Sequence, residues 1–239
     1  MSDEAVRLDD VKFRWRSDAP PVLDIPSLSA RAGERLFISG PSGSGKTTLL
    51  NLLAGISQPE TGTVEIMGTD LSQLSGGGRD AFRADTIGFI FQMFNLLPFL
   101  SLVENVLLPC RFSSARRARA AAAPGGAEAE ARRLLTHMGL AAEVDAGRSA
   151  AELSTGQQQR VAAARALIGA PPVIIADEPT SALDANAQAA FLDLLTGEAA
   201  RTGATVLFVS HDRRLESHFD RVIDLTAVNR AASDAERAA

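Results

Sequence analysis

The sequence predicts an α/β fold with a mostly parallel core sheet, an antiparallel β portion near the N-terminus and a helical subdomain. Two bare apolar runs, residues 173–176 and 204–210, lie on either side of a helix-like stretch at residues 185–201. Continuous apolar strands separated by a helix are typical of a parallel sheet that is covered on both faces. Alternating segments come earlier in the chain, and helical spacing dominates from about residue 94 to 170.

The N-terminal part alternates between apolar and polar residues in several short segments, which indicates half-buried strands. The exception is the stretch after Lys46, where leucines recur at helical spacing. The elements expected here are, in order, an edge strand over residues 6–15, a strand over 23–28, a turn at Gly33, a strand over 36–39, a helix over 47–54, and strands over 61–68 and 86–91.

The middle and the end of the chain are predicted from helical periodicity and from glycine and proline punctuation. The expected elements are helices over residues 102–108, 127–137 and 157–168, a loop at 124–126, turns at Gly139 and Gly147, and then the strand, helix and strand named first. Residues 227–239 are polar and alanine-rich and should form a loose tail. The sequence contains no internal repeat.

Length and composition exclude several classes of protein. A chain of 239 residues with 46% hydrophobic residues can bury a full core, so we expect one domain over residues 1–239 rather than a disordered polymer. The single cysteine, Cys110, excludes an intramolecular disulfide and a multi-cysteine zinc site. The acidic start resembles no secretory signal, and no apolar stretch is long enough to span a bilayer, so a cytoplasmic location is expected.

Charge argues against a nucleic-acid partner, because the net charge is -5. The basic cluster at residues 111–119 is short and lies beside an alanine run. We interpret this cluster as a solvated helix face rather than as a lipid or nucleic-acid patch.

A glycine-rich stretch between a predicted strand and a predicted helix matches the pattern G-x-x-x-x-G-K-[ST]. Its residues are Gly40, Pro41, Ser42, Gly43, Ser44, Gly45, Lys46 and Thr47. Glycines let the main chain form a concave nest of N–H groups for phosphate oxygens, and the following helix N-terminus adds positive potential. Lysine occurs only twice in the chain, which favours this chemistry over a chance glycine turn. We expect Lys46 to reach the β- and γ-phosphates of a nucleoside triphosphate and the Thr47 hydroxyl to bind Mg²⁺.

Two adjacent carboxylates, Asp177 and Glu178, follow the apolar run at residues 173–176. The carboxyl end of a buried parallel strand lies where α/β folds bind ligands, so Asp177 is the expected Mg²⁺ partner. Glu178 points in another direction and can orient or deprotonate an attacking water. Alone, the pair could form a turn or a helix cap, but the phosphate loop in the same chain favours the catalytic interpretation.

The segment Leu153-Ser154-Thr155-Gly156-Gln157 resembles the LSGGQ signature of ATP-binding cassette (ABC) ATPases, and Ser154 precedes Asp177 by 23 residues, as that family requires. Further motifs of the family occur in the family's order. They are Trp15 at the adenine-stacking position, Gln92 as the Q-loop residue, residues 181–184 as the D-loop and His211 as the switch histidine. The resemblance covers roughly residues 6–225 and implies a P-loop NTPase fold of the ABC type.

The resemblance also implies an ATPase that works as a head-to-tail dimer of two copies, with ATP and Mg²⁺ as cofactors. ATP would lie between the phosphate loop of one copy and Ser154, Thr155 and Gly156 of the other, at a helix N-terminus suited to the γ-phosphate. The roles carried over are catalysis by Lys46, Glu178 and His211, Mg²⁺ binding by Thr47, Gln92 and Asp177, and further nucleotide contacts from Trp15, Thr48, Gln157 and Asp184. Each has a plainer alternative, such as a core tryptophan, a surface histidine or an ordinary loop glutamine.

Thr155 departs from the family, which commonly has glycine at that position. A β-branched residue resists a positive φ and adds bulk. If the backbone needs glycine there, binding or turnover suffers, whereas threonine is tolerated if only the amide is needed. We favour tolerance, because Gly156 and Gln157 are retained.

Residues 91–98, with further matches up to Pro109, resemble the subgroup of lipoprotein-release, macrolide-export and cell-division ABC ATPases. That subgroup pairs with separate membrane permease subunits, so the resemblance implies a permease partner that holds the chain on the inner face of the cell membrane. The apolar residues that would receive the permease, or pack in the core instead, are Met93, Phe94, Leu96 and Leu97. Only 28 residues follow His211, too few for the extension of sugar-importer ATPases, which favours export or mechanotransmission.

Other classes of function compete with this interpretation. An ATP-dependent regulatory switch with little hydrolysis and an ABC importer ATPase both remain open. A DNA-repair ABC ATPase is disfavoured, because the chain has neither zinc cysteines nor a coiled-coil insertion.

Overall fold

A computed structural model of the chain describes residues 3–181 and 183–231. They form two compact units. Unit 1 combines the segments before residue 84 and after residue 204, and unit 2 is the segment 84–204. The predicted helical subdomain, residues 94–170, falls inside unit 2, while the single domain over residues 1–239 stays a prediction.

The strands of the described chain follow the predicted order, with β5 and β9 as additions. They are β1 (Glu4–Phe13), β2 (Leu23–Arg31), β3 (Arg35–Ser39), β4 (Thr61–Ile66), β5 (Thr69–Asp70), β6 (Ile87–Ile90), β7 (Val173–Asp177), β8 (Thr205–Val209) and β9 (Arg221–Asp224). The two bare apolar runs of the sequence are thus confirmed as β7 and β8.

Unit 1 contains the predicted antiparallel sheet, in the order β2-β1-β4-β5. The expectation of an edge strand over residues 6–15 was wrong, because β1 pairs with β2 on one side and β4 on the other. β1 pairs with β2 from Glu4↔Arg31 to Phe13↔Leu23. Apolar side chains of β1 are buried at alternating positions along most of its length, as a sheet with one covered face requires. The end of β1 brings the chain to Trp15, two residues beyond Phe13.

Unit 1 also contains three parallel strands, because β3 pairs in parallel with both β8 and β9. All five residues of β8 and the last four of β3 are buried. Strands buried on both faces read as continuous apolar runs, which is the pattern that the sequence showed. The carboxyl ends of these strands meet at one edge of the sheet.

Unit 2 contains a parallel pair, β6 and β7, in register from Ile87↔Val173 to Ile90↔Ala176. Close packing fixes Gly88 on β6, because a Cβ atom there would lie 2.3 Å from the carbonyl oxygen of Ala166. Because β6 and β7 are parallel, the segments that follow them leave the pair at the same edge.

The helices of the described chain are α1 (Lys46–Leu53), α2 (Gly76–Thr86), α3 (Leu102–Leu107), α4 (Pro109–Phe112), α5 (Ser114–Ala121), α6 (Gly126–His137), α7 (Ala141–Asp145), α8 (Thr155–Leu167), α9 (Ala185–Thr202) and α10 (Leu225–Val228). Capping boxes at Ser101 and Ser154 fix the starts of α3 and α8. The sequence did not predict α2, because three glycines open it. Within the described ranges, none of these helices is both long and apolar enough to cross a bilayer.

The interpretation of the basic cluster as a solvated helix face is wrong for Arg116, whereas Arg111, Arg117 and Arg119 are exposed. The Arg116 side chain is buried, and its guanidinium donates to the carbonyl oxygens of Ile168 at 2.6 and 2.8 Å and of Ala166 at 2.7 Å. Burial lowers the pKa of Arg116 to about 10. Arg116 thus ties α5 to the end of α8, where the helix leaves carbonyl groups without intrahelical donors.

The start of the expected loose tail is packed. Asn229 is buried, accepts from the amide of Asp24 at 2.8 Å and donates to the carbonyl of Val22 at 2.9 Å. Residues 227–231 are therefore held within unit 1, contrary to the prediction. The rest of the predicted tail, residues 232–239, lies outside the described residues.

Candidate nucleotide site

The phosphate loop in unit 1 connects the end of β3 at Ser39 to the start of α1 at Lys46. Gly43 has φ +84° and Gly45 has φ +97°, a region that residues with a side chain rarely adopt. Gly45 is also the N-cap of α1, and a Cβ atom there would lie 2.7 Å from Cδ2 of Leu23. Main-chain geometry thus requires glycine at both positions and builds a concave loop at a helix N-terminus.

Lys46 and Ser44 are the buried polar residues of this loop. The Lys46 ammonium donates to the carbonyl oxygens of Gly40 at 2.7 Å and Pro41 at 2.9 Å. Ser44 is buried, and its Oγ atom has no hydrogen-bond partner among the described residues. A buried hydroxyl without a partner inside a glycine loop fits a loop that binds a further polar group.

The other residues of the loop differ in exposure. Pro41 and Ser42 are exposed, and the Pro41 carbonyl also accepts from the amide of Ser44 at 3.2 Å. At the start of α1, Thr47 is exposed whereas Thr48 is buried. The loop is supported by Asn229, the residue that follows α10, which donates to the carbonyl of Ser44 at 3.2 Å. No motif marked Asn229, because its partners lie far away in the chain.

Trp15 is not a core tryptophan, because 58% of its surface is exposed. Its ring contacts Phe13 edge-on, with the centroids 4.9 Å apart. That contact supports the indole and keeps it on the surface of unit 1.

His211 lies on the same sheet edge of unit 1 as the phosphate loop. β3 and β8 are parallel neighbours paired at Ile38↔Val209, so the loop and His211 both follow the carboxyl ends of these strands. His211 is exposed. Next to it, a hydrogen bond from the Arg214 guanidinium holds the pKa of Asp212 below its ordinary value.

In unit 2, Gln92 and the acidic pair share a sheet edge. Gln92 follows β6, and Asp177 and Glu178 end and follow β7, its parallel neighbour. Glu178 has φ +45°, an unusual backbone conformation for a residue with a side chain. Such conformations concentrate at functional sites, where the surroundings hold them.

The signature segment starts α8, with Ser154 as the N-cap. The Ser154 amide donates to Oε1 of Gln157 at 2.9 Å, and the Gln157 amide donates to the Ser154 hydroxyl at 3.4 Å. Thr155 is exposed and is the first residue of the helix, outside the positive-φ region. The backbone therefore does not require glycine at position 155. Gln157 also donates to Glu143 at 2.6 Å, a contact that the sequence did not indicate.

Asp184 is the N-cap of α9, where its carboxylate accepts from the amide of Ala187 at 2.9 Å. Leu183 lies 3.2 Å from the position that a Cβ atom would take at Gly156, so the segment before α9 packs against the start of α8. The D-loop prediction also includes Ala182, which lies outside the described residues.

A groove of about 480 Å³ in unit 2 is lined by residues 92–96, by Pro98, by residues 150–151 and by Thr155, Gln158 and Ser181. Met93 is 79% exposed at this groove, and Phe99 beyond it is 77% exposed. These apolar side chains are not part of a core.

Buried side chains hold the loop that forms this groove. Arg165 on α8 donates to the carbonyls of Phe94 at 2.5 Å and Asn95 at 2.6 Å, and burial lowers the pKa of Arg165. Asn105 on α3 bonds both the amide and the carbonyl of Leu97. Neither supporting role was predicted, because each side chain lies away from the loop in sequence.

The predicted Mg²⁺ ligands, Thr47, Gln92 and Asp177, offer hydroxyl, amide and carboxylate oxygens, the hard donors that Mg²⁺ prefers. Among the described residues, no group of three or more His, Cys, Asp or Glu side chains forms a metal site of its own. This donor set fits a metal ion that also takes oxygens from a nucleotide.

A model of the ABC transporter family matches residues 23–181. The chain is 42% identical over 204 residues to the lipoprotein-releasing system ATP-binding protein LolD of Syntrophotalea carbinolica, covering 85% of this chain and 86% of that protein. It is 41% identical over 232 residues to LolD of Novosphingobium aromaticivorans, covering 94% and 97%. It is 39% identical over 231 residues to the macrolide export ATP-binding/permease protein MacB of Hyphomonas neptunium, covering 94% of this chain and 34% of MacB.

Two solved structures of cassette proteins are similar to this chain. The dimeric post-hydrolysis state of the ATP-binding cassette MJ0796 bound to ADP and Pi has a TM-score of 0.80 and 35% identity, covering 95% of each chain. The dimeric structure of MJ0796 described as a bacterial ABC transporter cassette has a TM-score of 0.79 and 36% identity, covering 92% of this chain and 93% of that one.

Proposed function

The chain belongs to the ABC transporter family, and from that premise we propose that it is the ATP-binding and ATP-hydrolysing subunit of an exporter or mechanotransmission system with a separate membrane permease. The observation that carries this proposal is the phosphate loop between β3 and α1, with left-handed Gly43 and Gly45 and a buried Lys46. This loop is shaped by the main chain for phosphate oxygens.

ATP binding follows from the groups that this loop offers. Two of the three Lys46 ammonium donors bond Gly40 and Pro41, which leaves the third for a phosphate oxygen. The Ser44 hydroxyl and the first amides of α1 are further donors, since helix N-termini leave amides without intrahelical acceptors. The exposed Trp15 would stack on the adenine base.

Mg²⁺ would be held by Thr47, Gln92 and Asp177 together with nucleotide phosphates. A bound Mg²⁺ would neutralise charge that develops on the phosphates. Glu178 would orient and deprotonate the attacking water, and the exposed His211 would contact the γ-phosphate.

A second copy of the chain would complete the site. The capped N-terminus of α8, with Ser154, Thr155 and Gly156, would contact the γ-phosphate of ATP held by the partner copy. Thr155 fits this role without backbone strain, and the similar MJ0796 cassette bound to ADP and Pi is dimeric. Loss of the γ-phosphate contacts would then loosen the dimer.

The permease would dock at the groove of residues 92–98, where exposed Met93 offers an apolar contact. LolD relatives are named for lipoprotein release, and MacB combines the ATP-binding part with a permease in one chain. By this reasoning the chain acts at the inner face of the cell membrane, bound through its permease.

Two substitutions separate binding from hydrolysis. Lys46→Ala removes the loop's ammonium, and we expect MgATP affinity in calorimetry to fall at least about 100-fold. Glu178→Gln keeps the loop, so ATP binding persists, a dimer accumulates in light scattering, and phosphate release falls about 1000-fold.

The rate at which the wild-type chain releases phosphate from ATP separates this proposal from its main alternative. A wild-type chain that binds MgATP but releases no phosphate, alone or with its permease, would favour the regulatory switch. Unchanged MgATP affinity in Lys46→Ala would contradict the phosphate-loop assignment.

A further inference from the structure

Two buried glutamine side chains hold the turn that follows Glu178. Gln159 on α8 is fully buried and donates to the carbonyl of Pro179. Gln188 on α9 is 7% exposed and donates to the carbonyl of Thr180 at 3.1 Å. Both contacts lie within unit 2, and neither glutamine belongs to a motif that the sequence singled out.

Each of these bonds supplies a donor to a carbonyl group of the turn. Pro179 and Thr180 are both buried, and a buried carbonyl without a donor is costly. Thr180 also accepts from the amide of Leu183 at 3.1 Å. Within residues 3–181 and 183–231, the donor to the Pro179 carbonyl is Gln159, whereas the Thr180 carbonyl has two donors, so we expect the larger effect from Gln159.

The turn begins with the unusual backbone of Glu178, at φ +45°. The Glu178 carbonyl accepts from the amide of Ser181 at 3.2 Å, which closes the turn. A left-handed backbone at a residue with a side chain persists only when its neighbours hold it. Bonds to the next two carbonyls, from Gln159 and Gln188, supply that restraint and so fix the direction in which the Glu178 side chain leaves the chain.

Gln159 also links this turn to the signature segment, because it lies just over one helical turn after Thr155 on α8. Gly156 packs against Leu183 at the same junction. The Oε1 atom of Gln159 is buried and has no partner among the described residues, so the side chain is held at this junction through its amide nitrogen.

We propose that Gln159, supported by Gln188, is a positioning residue for hydrolysis that holds the Glu178 backbone and couples it to the start of α8. This inference rests on the proposed function, in which Glu178 activates water and the start of α8 contacts the γ-phosphate of the partner copy. Both glutamines donate to the turn and not to the phosphate loop, so we expect them to affect turnover rather than nucleotide binding.

The test compares Gln159→Met, Gln188→Met and Thr196→Val. Thr196 is a matched control, because it is a buried polar residue of α9 whose hydroxyl bonds only within its own helix among the contacts described, at 2.8 Å to the carbonyl of Leu192. For Gln159→Met we expect kcat for ATP to fall about tenfold, with KM and MgATP affinity within about twofold of wild type. Gln188→Met should lower kcat about threefold, because Thr180 keeps the Leu183 amide, and Thr196→Val should leave kcat within about twofold.

Hydrogen exchange gives a readout that does not depend on activity. In Gln159→Met, the amides of Ser181 and Leu183 should exchange faster than in wild type, while those of α1 should not change. Unchanged kcat and exchange in Gln159→Met would overturn the proposal, and so would parallel losses of kcat and MgATP affinity.

If Gln159→Met does not fold, Gln188→Met decides by the same criteria. A wild-type chain without ATPase activity would overturn the proposed function and the role of Gln159 in hydrolysis. Faster exchange at Ser181 and Leu183 in that case would still show that Gln159 holds the turn.

Discussion

The phosphate loop of unit 1 is shaped mainly by the main chain, whereas the loops of unit 2 that carry predicted site residues are held by buried polar side chains. The left-handed backbone of Gly43 and Gly45 gives the phosphate loop its shape. Arg165 and Gln159 reach from α8 to hold the groove loop and the turn after β7. In unit 1, Lys46 and Asn229 also donate to carbonyls of the phosphate loop, in addition to the restraint from its glycines.

This difference explains why a sequence motif reveals the first kind of loop but not the second. A loop built from the backbone leaves a local pattern of glycines, because only glycine adopts its conformations freely. A loop held by a side chain from another element leaves a single glutamine or arginine at a position with no local pattern. Unit 1 should therefore be sensitive to added Cβ atoms, and unit 2 to the loss of polar side chains.

The largest effect is expected for Arg116→Leu in unit 2. The substitution removes the guanidinium and leaves the buried carbonyls of Ile168 and Ala166 without their donors. We expect the free energy of unfolding to fall by about 3 to 5 kcal/mol, measured by urea denaturation. Arg117 is exposed on the same helix and provides the control. Arg117→Leu should leave the free energy of unfolding within about 0.5 kcal/mol of the wild-type value. Equal losses for the two variants would contradict the comparison.

The next largest effect on the free energy of unfolding is expected from the buried carboxylate of Glu198 on α9. Burial raises its pKa, but hydrogen bonds from Arg133 at 2.8 and 2.9 Å and Arg201 at 3.0 Å outweigh burial and lower the pKa from 4.5 to about 2. Nδ1 of His137 lies 2.7 Å from the same carboxylate, and Glu130 shares both arginines. A lowered pKa means that Glu198 stabilises the fold above about pH 4.5 and that this contribution is lost as the pH falls to about 2.

Glu198→Gln tests that pH dependence. We expect wild type to lose roughly 3 kcal/mol more unfolding free energy than the variant between about pH 6 and pH 2, measured by urea denaturation across this range. Glu128→Gln is the control, because Glu128 is exposed and pairs with Arg132 at 3.1 Å on the surface of α6. Its curve should follow that of wild type. Parallel curves for wild type and Glu198→Gln would refute the assignment.

The smallest effect is expected in unit 1, at two glycines of the phosphate loop. Gly45→Ala adds backbone strain and also a contact of 2.7 Å with Leu23, whereas Gly43→Ala meets nothing within 4 Å and adds strain alone. We expect a loss of about 2 kcal/mol of unfolding free energy for Gly45→Ala and about 1 kcal/mol for Gly43→Ala, measured by thermal denaturation. A larger loss for Gly43→Ala would show that strain, not packing against β2, limits this loop.

Much of the fold was predictable, because continuous apolar runs gave β3, β7 and β8, and leucine spacing gave α1. The helix α2 was missed because three glycines open it, and β9 was missed because its four residues are partly exposed. The expected tail was wrong for residues 227–231, since the burial of Asn229 depends on partners about 200 residues away in the chain.

The amino-acid sequence alone identifies the phosphate loop, the acidic pair after β7 and the signature at the start of α8. These features depend on local geometry: glycines that allow a left-handed backbone, a strand end, and a helix cap. The folded chain was needed to learn that Thr155 is free of backbone strain, that Trp15 is exposed, and that Gln159, Arg165 and Arg116 donate to distant carbonyls. A buried carbonyl takes its donor from whichever side chain the fold brings near, and nothing in the surrounding sequence records that choice.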